Sequence, residues 1–553
     1  MPVQTTPDWV SNPLNIVDKI FANDSTGYQQ DATMLRAAVE AAFLGRIKSD
    51  TSDYRHLVPL INGLSKEQLQ AIPTNSLVRF RCMVRDERPS SYHQGFLQVR
   101  QLNSGDIKAV CAMFRDGVVL EMGEQVVAFG ERGALSEMRS LKCVSLPVES
   151  AWSRAIHEHG KSTSDKPLDP SQPVLVANFF AEAGASVAVN DAVELFGLLS
   201  FDDPMLPSPE RGAGDSPAIS AFPVQHDEMR LNVLLYEDLL HTHPALPLDK
   251  TRILSMSRED GFSFVRVRES LMELLKFCLN GDALGAEYLL LHLISSIYAR
   301  ADDQAIGNFP LNLTGMPQDV TFVKRLLGTL ENILTQLAVF PMSIATLNSA
   351  LMAPKMTEVP GTIDNELLPG LLQLPKHTHL ALDELGMDTG TLNDTGCRNL
   401  LALQKLVSDQ KLDFNFLFGQ TIPFLMDIPV LVLSQGKSLV NCRCIVPLSP
   451  NGAAVDCAAL DEEIIWQIRQ YLVTVRFLDY EIPPEMREAI VNKFVTSRKA
   501  DRSISPDDLH QQLELARYMT ISHGEVVLTQ QRWDEVLHLE SERSRRLKET
   551  GIR

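Results

Sequence analysis

The sequence has few cysteines and pairs none of them at a metal-binding spacing. Only eight of its 553 residues are cysteine, and no Cys-x-x-Cys pair occurs. A zinc site of that kind is therefore not expected, and the scattered positions, mostly inside apolar runs, predict reduced core residues. The eight are Cys82, Cys111, Cys143, Cys278, Cys397, Cys442, Cys444 and Cys457.

Long hydrophobic runs are also missing. No apolar segment reaches the ~18–20 residues that a membrane-spanning helix needs. The beginning, MPVQTTPDWVSNPLNIV, has no basic stretch followed by an apolar one, so no signal peptide is predicted. We therefore expect a soluble, intracellular protein with no membrane partner.

Positive charge is scarce. The chain has 51 Lys and Arg against 70 Asp and Glu, which gives a net charge of −19. Tight, sequence-independent binding of nucleic acid depends on neutralising phosphates with Lys and Arg, so no direct nucleic-acid partner is expected. Basic protein surfaces fit an acidic chain better. A local basic patch remains compatible with this charge, because net charge does not describe its distribution.

Motifs of nucleophilic enzymes and complete metal sites are absent from the sequence. No Gly-x-Ser-x-Gly and no Cys/His signature occurs. Three His-x-His pairs lack the cysteine or carboxylate cluster that would complete a zinc site by spacing. We therefore predict no metal, no cofactor and no catalytic residue. The pairs are His157 with His159, His241 with His243, and His377 with His379.

The length predicts several domains, because 553 residues exceed what one hydrophobic core organises. We predict that residues 1–157 form an N-terminal helical and β-rich domain. Short strands at regular spacing indicate a small barrel or sandwich of the OB-like type. Residues 1–157 contain few of the interleaved basic and aromatic residues that a single-stranded DNA-binding surface needs. Strand-like runs lie at 76–87, 95–102, 109–116 and 124–131.

The middle of the chain has two segments rich in Pro, Gly and Ser, a composition that disfavours helices and strands. Residues 158–173 predict a linker. Residues 174–250 predict a second β-containing segment, and residues 202–228 within it predict a mobile loop.

Residues 251–457 predict an α/β domain, since buried strand-like runs alternate with helical ones as in a largely parallel sheet. Residues 458–553 predict a C-terminal helical domain, with the charges of DEVLHLESERSRRLKE on a solvated face. The predicted strands of the α/β domain are 309–315, 378–385 and 428–436, and its predicted helices include 323–338 and 398–409.

One stretch of this domain, GDALGAEYLLLHLISSIYAR from Gly281, begins like a phosphate-binding loop. Such a loop places a lysine on the phosphates and follows it with Ser or Thr for magnesium. Here those positions are Glu287 and Tyr288. A charge ~4 Å from a phosphate is worth roughly 4 kcal/mol at an effective dielectric near 20, so Glu turns attraction into comparable repulsion. We interpret Gly281, Asp282 and Gly285 as the remnant of a loop that no longer binds nucleotide.

An acidic pair ends a predicted strand later in the chain. In THLALDEL the apolar run is followed by Asp383 and Glu384, the pattern of a Walker B strand, where Asp orients magnesium and Glu positions water. Paired acids at a strand end also occur in exposed turns and helix caps. Together with the loop-like stretch at Gly281, the pair is interpreted as part of a vestigial site.

Seven segments together give the chain its resemblance to a known family. Nearly end to end, the chain resembles the family of mini-chromosome maintenance (MCM) complex-binding proteins. Residues 251–457 resemble a degenerate AAA+ core of the MCM helicase subunits, which implies a helical C-terminal lid. The segments are DWVSNPLNIV, SLVRFRCMVRD, VNDAVELFGLLS, GDALGAEYLLLHLISSIYAR, FPLNLTG, GLLQLPKHTHLALDE and SISPDDLHQQLELARYMTISHGEVVLTQQRWDEVLHLES.

The resemblance also implies where other helicase positions would fall. The sensor asparagine would lie near Ser434 and Gln435, and the lid arginine near Asp507. Arg443 stands roughly where an arginine finger could lie, without the surrounding Ser-Arg-Phe-Asp pattern. The scaffold is thus expected to be kept while the phosphate-facing cations are lost.

The function that the resemblance implies is that of a nuclear, non-enzymatic partner of MCM helicase subunits and subcomplexes. It would assist their assembly and stability like a chaperone, help to remove them from chromatin during DNA replication, and link to sister-chromatid cohesion and the cell-division cycle. Its association with chromatin would be indirect. As a pseudo-ATPase subunit, it could occupy one face of a helicase subunit without offering a working site in return.

Two rival hypotheses remain open. One is an ATPase with an atypical phosphate loop that retains Asp383 and Glu384. The other is a single-stranded DNA-binding replication accessory protein that acts through its β-rich N-terminal half. The sequence leaves open which subunits bind, through which face, whether any nucleotide binding remains, how the chain enters the nucleus and whether it self-associates.

Overall fold

The chain folds into two compact units in the computed structural model. The first comprises Met1–Pro147 and Gly160–Leu239, and the second comprises Val148–His159 and Leu240–Arg553. The predicted mixed α/β class is confirmed. The described residues are 8–48, 54–115, 118, 120–128, 135–157, 173–201, 229–256, 262–302, 304–358, 365–450, 461–500, 502 and 505–551. Residues 158–172 of the predicted linker and the whole predicted loop 202–228 lie outside them.

The first unit combines short N-terminal helices with strands. Its helices in the described residues are α1 (Asp8–Ser11), α2 (Pro13–Asn23), α3 (Ser25–Gln30), α4 (Ala32–Ile47) and α5 (Lys66–Gln70). Its strands there are β1 (Leu77–Glu87), β2 (Ser91–Gln94), β3 (Phe96–Gln101), β4 (Ile107–Cys111), β5 (Glu124–Ala128), β6 (Leu135–Ser145), β7 (Leu175–Phe180), β8 (Ala192–Ser200) and β9 (Met229–Asp238).

Five of these strands close into a ring. The circle runs β1-β8-β9-β7-β6 and returns to β1, with β7 and β9 parallel and the other neighbours antiparallel. A register shift between Val84 and Asp86 bends β1 where its pairing passes from β8 to β6. Because alternate side chains of a strand point to opposite faces, Val78 and Phe80 enter the interior core while Arg79 does not.

The remaining strands of the first unit form smaller elements. The strands β3, β4 and β5 make a separate three-stranded sheet in the order β4-β3-β5, so of the four runs predicted to build a barrel only β1 is in its wall. Helix α4 presents Leu35, Val39 and Phe43, spaced by four residues, to one hydrophobic core. Its N-terminus is capped by Asp31, whose carboxylate accepts the Thr33 N–H at 2.8 Å.

The second unit carries a larger set of elements. Its helices in the described residues are α6 (Ala151–His157), α7 (Lys250–Met256), α8 (Phe264–Cys278), α9 (Ala283–Leu293), α10 (Val320–Ile333), α11 (Ile344–Ser349), α12 (Asp394–Asp409), α13 (Glu462–Thr474), α14 (Pro484–Ala500), α15 (Pro506–Ser522) and α16 (Gln530–Thr550). Its strands there are β10 (Ala299–Ala301), β11 (Gln304–Ile306), β12 (Leu311–Thr314), β13 (Leu337–Pro341), β14 (Lys355–Glu358), β15 (Asn365–Leu368), β16 (His379–Asp383), β17 (Lys411–Asn415), β18 (Thr421–Leu425), β19 (Val430–Leu433) and β20 (Cys444–Pro447).

A parallel sheet of five strands organises this unit, in the order β13-β16-β19-β12-β20. The first of these strands along the chain, β12, lies between the fourth and the fifth. Both β12 and β19 are buried along their whole length, which explains why FPLNLTG and IPVLVLS read as continuous apolar runs rather than alternating ones.

Two further groups complete the second unit. A four-stranded sheet has the order β15-β14-β17-β18, and the turn between β17 and β18 carries Phe418 at its tip, 96% exposed. The C-terminal residues form helices α13 to α16, and Tyr471, Leu515 and Trp533 from three of them enter the same core as α8 and α9. In the part of the chain that the structure describes, no helix combines the length and apolar character needed to cross a membrane.

Candidate functional site

The carboxyl edge of the parallel sheet is the natural position for a ligand site in this architecture. Among the connections that leave the sheet there are the loops after β12, β16 and β19. They contain Gly315 to Asp319, the pair Asp383 and Glu384, and the pair Ser434 and Gln435. The acidic pair and the sensor-equivalent pair of the sequence analysis are thus brought to one edge of one sheet.

The loop after β12 joins this interior strand to α10, the connection that a phosphate-binding loop makes. Two of its backbone amides are already bound: the Gly315 N–H donates to the Gln435 carbonyl at 3.2 Å, and the Met316 N–H donates to the Ser434 carbonyl at 3.1 Å. The Gln318 amide also donates to the Gln435 side-chain oxygen at 3.0 Å. Amides that would cradle an anion are therefore used by the protein itself.

The N-terminus of α10 is closed as well. Asp319 accepts from the Thr321 N–H at 2.9 Å and from the Thr321 hydroxyl at 2.7 Å. These hydrogen bonds hold the pKa of Asp319 below its usual range. A carboxylate therefore stands where a bound phosphate would meet the helix dipole, and it would repel one.

The acidic pair ends β16 but its two carboxylates have different surroundings. Asp383 accepts the Leu385 N–H at 3.0 Å and shapes its own turn. Glu384 is buried, and its carboxylate accepts the Ser438 hydroxyl at 2.8 Å and the Leu439 N–H at 3.2 Å. Burial raises the pKa of Glu384. Among the described residues no group of three or more His, Cys, Asp and Glu is placed to hold a metal ion.

The stretch from Gly281 occupies another position in the fold. The residues predicted to be the remnant of a phosphate loop follow helix α8 and begin helix α9: Gly281, Asp282, Gly285, Glu287 and Tyr288. A phosphate loop follows a strand. The first strand-to-helix connection of the parallel sheet comes later, at 315–319. The apolar helix after the Gly-Asp pair produced the similarity in sequence, since both arrangements begin a buried helix.

Asp282 is fully buried and binds three groups. Its carboxylate caps α9 by accepting the Gly285 N–H at 3.1 Å, accepts the Ser449 N–H at 2.7 Å, and pairs with the Arg546 guanidinium at 2.8 Å. A side chain at Gly285 would place its Cβ 2.7 Å from Leu448. Asp282 therefore links α9 to the C-terminal helix α16.

Glu287 and Tyr288 also serve the C-terminal helices. Glu287 pairs with Arg268, whose Nε donates to the Ser522 hydroxyl at 2.9 Å, and burial raises the pKa of Glu287. Tyr288 is buried and donates to Glu540, which itself pairs with Arg543 at 2.7 Å. We call this cluster the helix seat; it consists of Asp282, Glu287 and Tyr288 with their partners Arg268, Glu540, Arg543 and Arg546.

Sequence reasoning missed the basic half of the helix seat. The charges of the C-terminal tail were predicted to form a solvated face, which is wrong for Arg543 and Arg546, whose side chains are only 12% and 16% exposed. The signal was present, because Trp533 and Val536 in α16 mark a buried stripe.

The other positions that the resemblance matched to helicase residues either lie away from the sheet edge or bind other groups of the protein. Ser434 is buried and donates to Asn312 at 2.9 Å. Asp507 is exposed in the first turn of α15, and Arg443 lies 3.9 Å from the buried carboxylate of Glu514. None of these contacts places a cation at the loop of residues 315–319.

Comparison with known proteins gives a consistent result. A family model described as mini-chromosome maintenance replisome factor matches residues 46–173 and 167–547. Proteins named mini-chromosome maintenance complex-binding protein are similar to the chain: that of Mus musculus is 28% identical, covering 98% of each chain, and that of Danio rerio is 29% identical, covering 97% of each. The protein of that name from Drosophila melanogaster is 32% identical over 74% of this chain and 69% of its own length.

Proposed function

Because the family model covers most of its length, the chain belongs to the family of mini-chromosome maintenance replisome factors, and we propose that it is a non-enzymatic protein that binds the MCM complex. The observation that carries the proposal is the name shared by relatives over nearly the full length, which is that of an MCM complex-binding protein. In the same proposal the protein acts in the nucleus, assists the assembly and stability of MCM subunits, and takes part in their removal from chromatin and in cohesion.

The two units take finer assignments under this proposal. The closed ring of five strands supports an OB-like barrel in the first unit. The parallel sheet with its first strand in an interior position, a strand-to-helix loop after that strand and an acidic pair at the end of β16 supports a degenerate AAA+-like domain in the second. Helices α13 to α16, seated on α8 and α9, take the place of the lid.

The absence of catalysis is proposed on the contacts at the sheet edge. The amides of Gly315 and Met316 are bound by carbonyls, and Asp319 places a negative charge at the N-terminus of α10. Nucleotide binding would have to break these hydrogen bonds and overcome that charge. The domain then retains the outer surfaces of a helicase-like subunit without its chemistry, which suits a protein that occupies one face of an MCM subunit.

The test uses the full-length chain and a purified MCM complex. We expect co-purification of the two, unchanged by Mg-ATP, and no ATP hydrolysis by the chain alone above background. Hydrolysis that is lost in Glu384→Gln would favour an ATPase instead. Failure of the chain to bind the complex or any of its subunits, under conditions where the chain is folded, would contradict the proposal.

A further inference from the structure

Helix α14 is long but has little burial to hold it. Among its 17 residues, Ile490 is the one buried side chain in the part that the structure describes. A helix that is polar on most sides is usually supported by ion pairs one turn apart. No ion pair of α14 is present within the described residues. Neither burial nor ion pairs within the described residues therefore explain why this helix forms with most of its surface exposed.

One outward face of α14 combines apolar and basic side chains. Val491 and Val495 lie one turn apart and are 53% and 43% exposed. Arg498 and Lys499 are exposed and continue the same face, being seven residues beyond Val491 and four beyond Val495. We call these four residues the α14 face.

The cations of this region have no acidic partner in the described part of the chain. Lys493 and Arg502 flank the α14 face and are exposed and likewise unpaired there. The chain has 70 acidic against 51 basic residues, yet no carboxylate in the described residues pairs with these cations. Interaction with the helix dipole explains Arg498 and Lys499 near the C-terminus of α14. It does not explain the two exposed valines beside them.

We propose that the α14 face binds a protein segment that carries carboxylates beside an apolar stripe. Charge complementarity supplies the acidic part, and Val491 and Val495 supply the apolar part. A nucleic-acid backbone would satisfy Arg498 and Lys499 but would leave the valines without a partner. The inference rests on the proposed function, since the segment belongs to a subunit of the MCM complex.

The experiment measures binding of full-length variants to a purified MCM complex by biolayer interferometry. Arg498→Glu with Lys499→Glu, and separately Val491→Ser with Val495→Ser, should each weaken binding by about tenfold. The matched control is Lys324→Glu with Lys548→Glu, which makes the same change of charge at exposed positions of α10 and α16. The control should stay within about twofold of the parent chain. Circular dichroism melts of all variants confirm that each is folded.

The outcomes separate this inference from the function on which it rests. Parent-level binding by the folded Arg498→Glu, Lys499→Glu variant overturns the α14 face and leaves the proposed function standing. No binding by the parent chain overturns both. A fluorescein-labelled DNA oligonucleotide provides the second arm: DNA binding that is lost with Arg498→Glu and Lys499→Glu, but kept with Val491→Ser and Val495→Ser, assigns the face to nucleic acid and overturns the proposal.

Discussion

Asp282, Glu287 and Tyr288, which resembled part of a nucleotide site, each bind other side chains of the protein. Asp282 shows this most clearly, because a carboxylate with no exposure must be matched by donors, and it has two amides and a guanidinium. The sequence identifies Asp282 as unusual. It does not identify Arg546 as its partner, because the two are 264 residues apart and only the folded chain brings them together.

Arg546→Ala should destabilise the second unit by about 3 kcal/mol, because it leaves Asp282 buried without its cation. Urea unfolding followed by the fluorescence of Trp533, which is buried in the same helix, measures the loss. The control is Arg545→Ala: Arg545 is 56% exposed and pairs with Glu542 and Glu549 at the surface, so less than about 1 kcal/mol is expected. Equal effects of the two changes would contradict the helix seat.

Glu384→Gln should stabilise the protein increasingly as pH rises. Burial raises the folded-state pKa of Glu384, so its contribution to stability is complete below the ordinary glutamate range and is lost as pH rises through the raised pKa. Gln stays neutral and can still accept from Ser438 and Leu439. The difference in Tm between the variant and the parent should therefore widen as pH rises above the ordinary glutamate range. A difference that does not change with pH would argue against this assignment.

At the scale of elements, local patterns predict strands well and their pairing poorly. The runs at 309–315, 378–385 and 428–436 contain β12, β16 and β19, because a buried parallel strand is a short apolar run. The predicted helix 323–338 runs past the end of α10 at Ile333 and covers the first two residues of β13, Leu337 and Ala338. The β-barrel is closed by β8 and β9, whose pairing with distant strands leaves no local signal in the sequence.

The ring of strands depends on a close backbone approach at Gly197. This residue lies at a register shift between β8 and β9, and an added Cβ would stand 2.7 Å from the Asn232 carbonyl oxygen. Gly197→Ala should therefore destabilise the first unit by about 1–3 kcal/mol. Thermal unfolding of the variant, compared with the parent chain, gives the value.

The matched control is Gly45→Ala in α4 of the same unit. Nothing lies within 4 Å of the added Cβ at Gly45. Alanine is favoured over glycine in a helix by about 1 kcal/mol, so this variant should be neutral or slightly more stable. If Gly197→Ala behaved like Gly45→Ala, the close approach in the ring would be wrong.

At the scale of the whole molecule, the net charge of −19 affects the rate at which the protein meets a partner rather than the fold that it adopts. If the proposed partner presents a basic surface, long-range attraction speeds association and is screened beyond about 8 Å at physiological salt. Raising salt should therefore lower the association rate with the MCM complex several-fold and change the dissociation rate less. Stopped-flow measurements over a salt series test this, and a rate that increases with salt would contradict it.

The placement of α6 has a consequence for how the chain is made. Trp152 in α6 donates to the Leu334 carbonyl at 2.9 Å and stacks under Arg469, with 4.0 Å between guanidinium carbon and ring centre. These partners are synthesised far later than α6. At about 5–20 residues per second, a ribosome needs on the order of 16–60 s to travel from Trp152 to Arg469. Through that interval the nascent chain carries an indole whose full set of neighbours has not yet been translated.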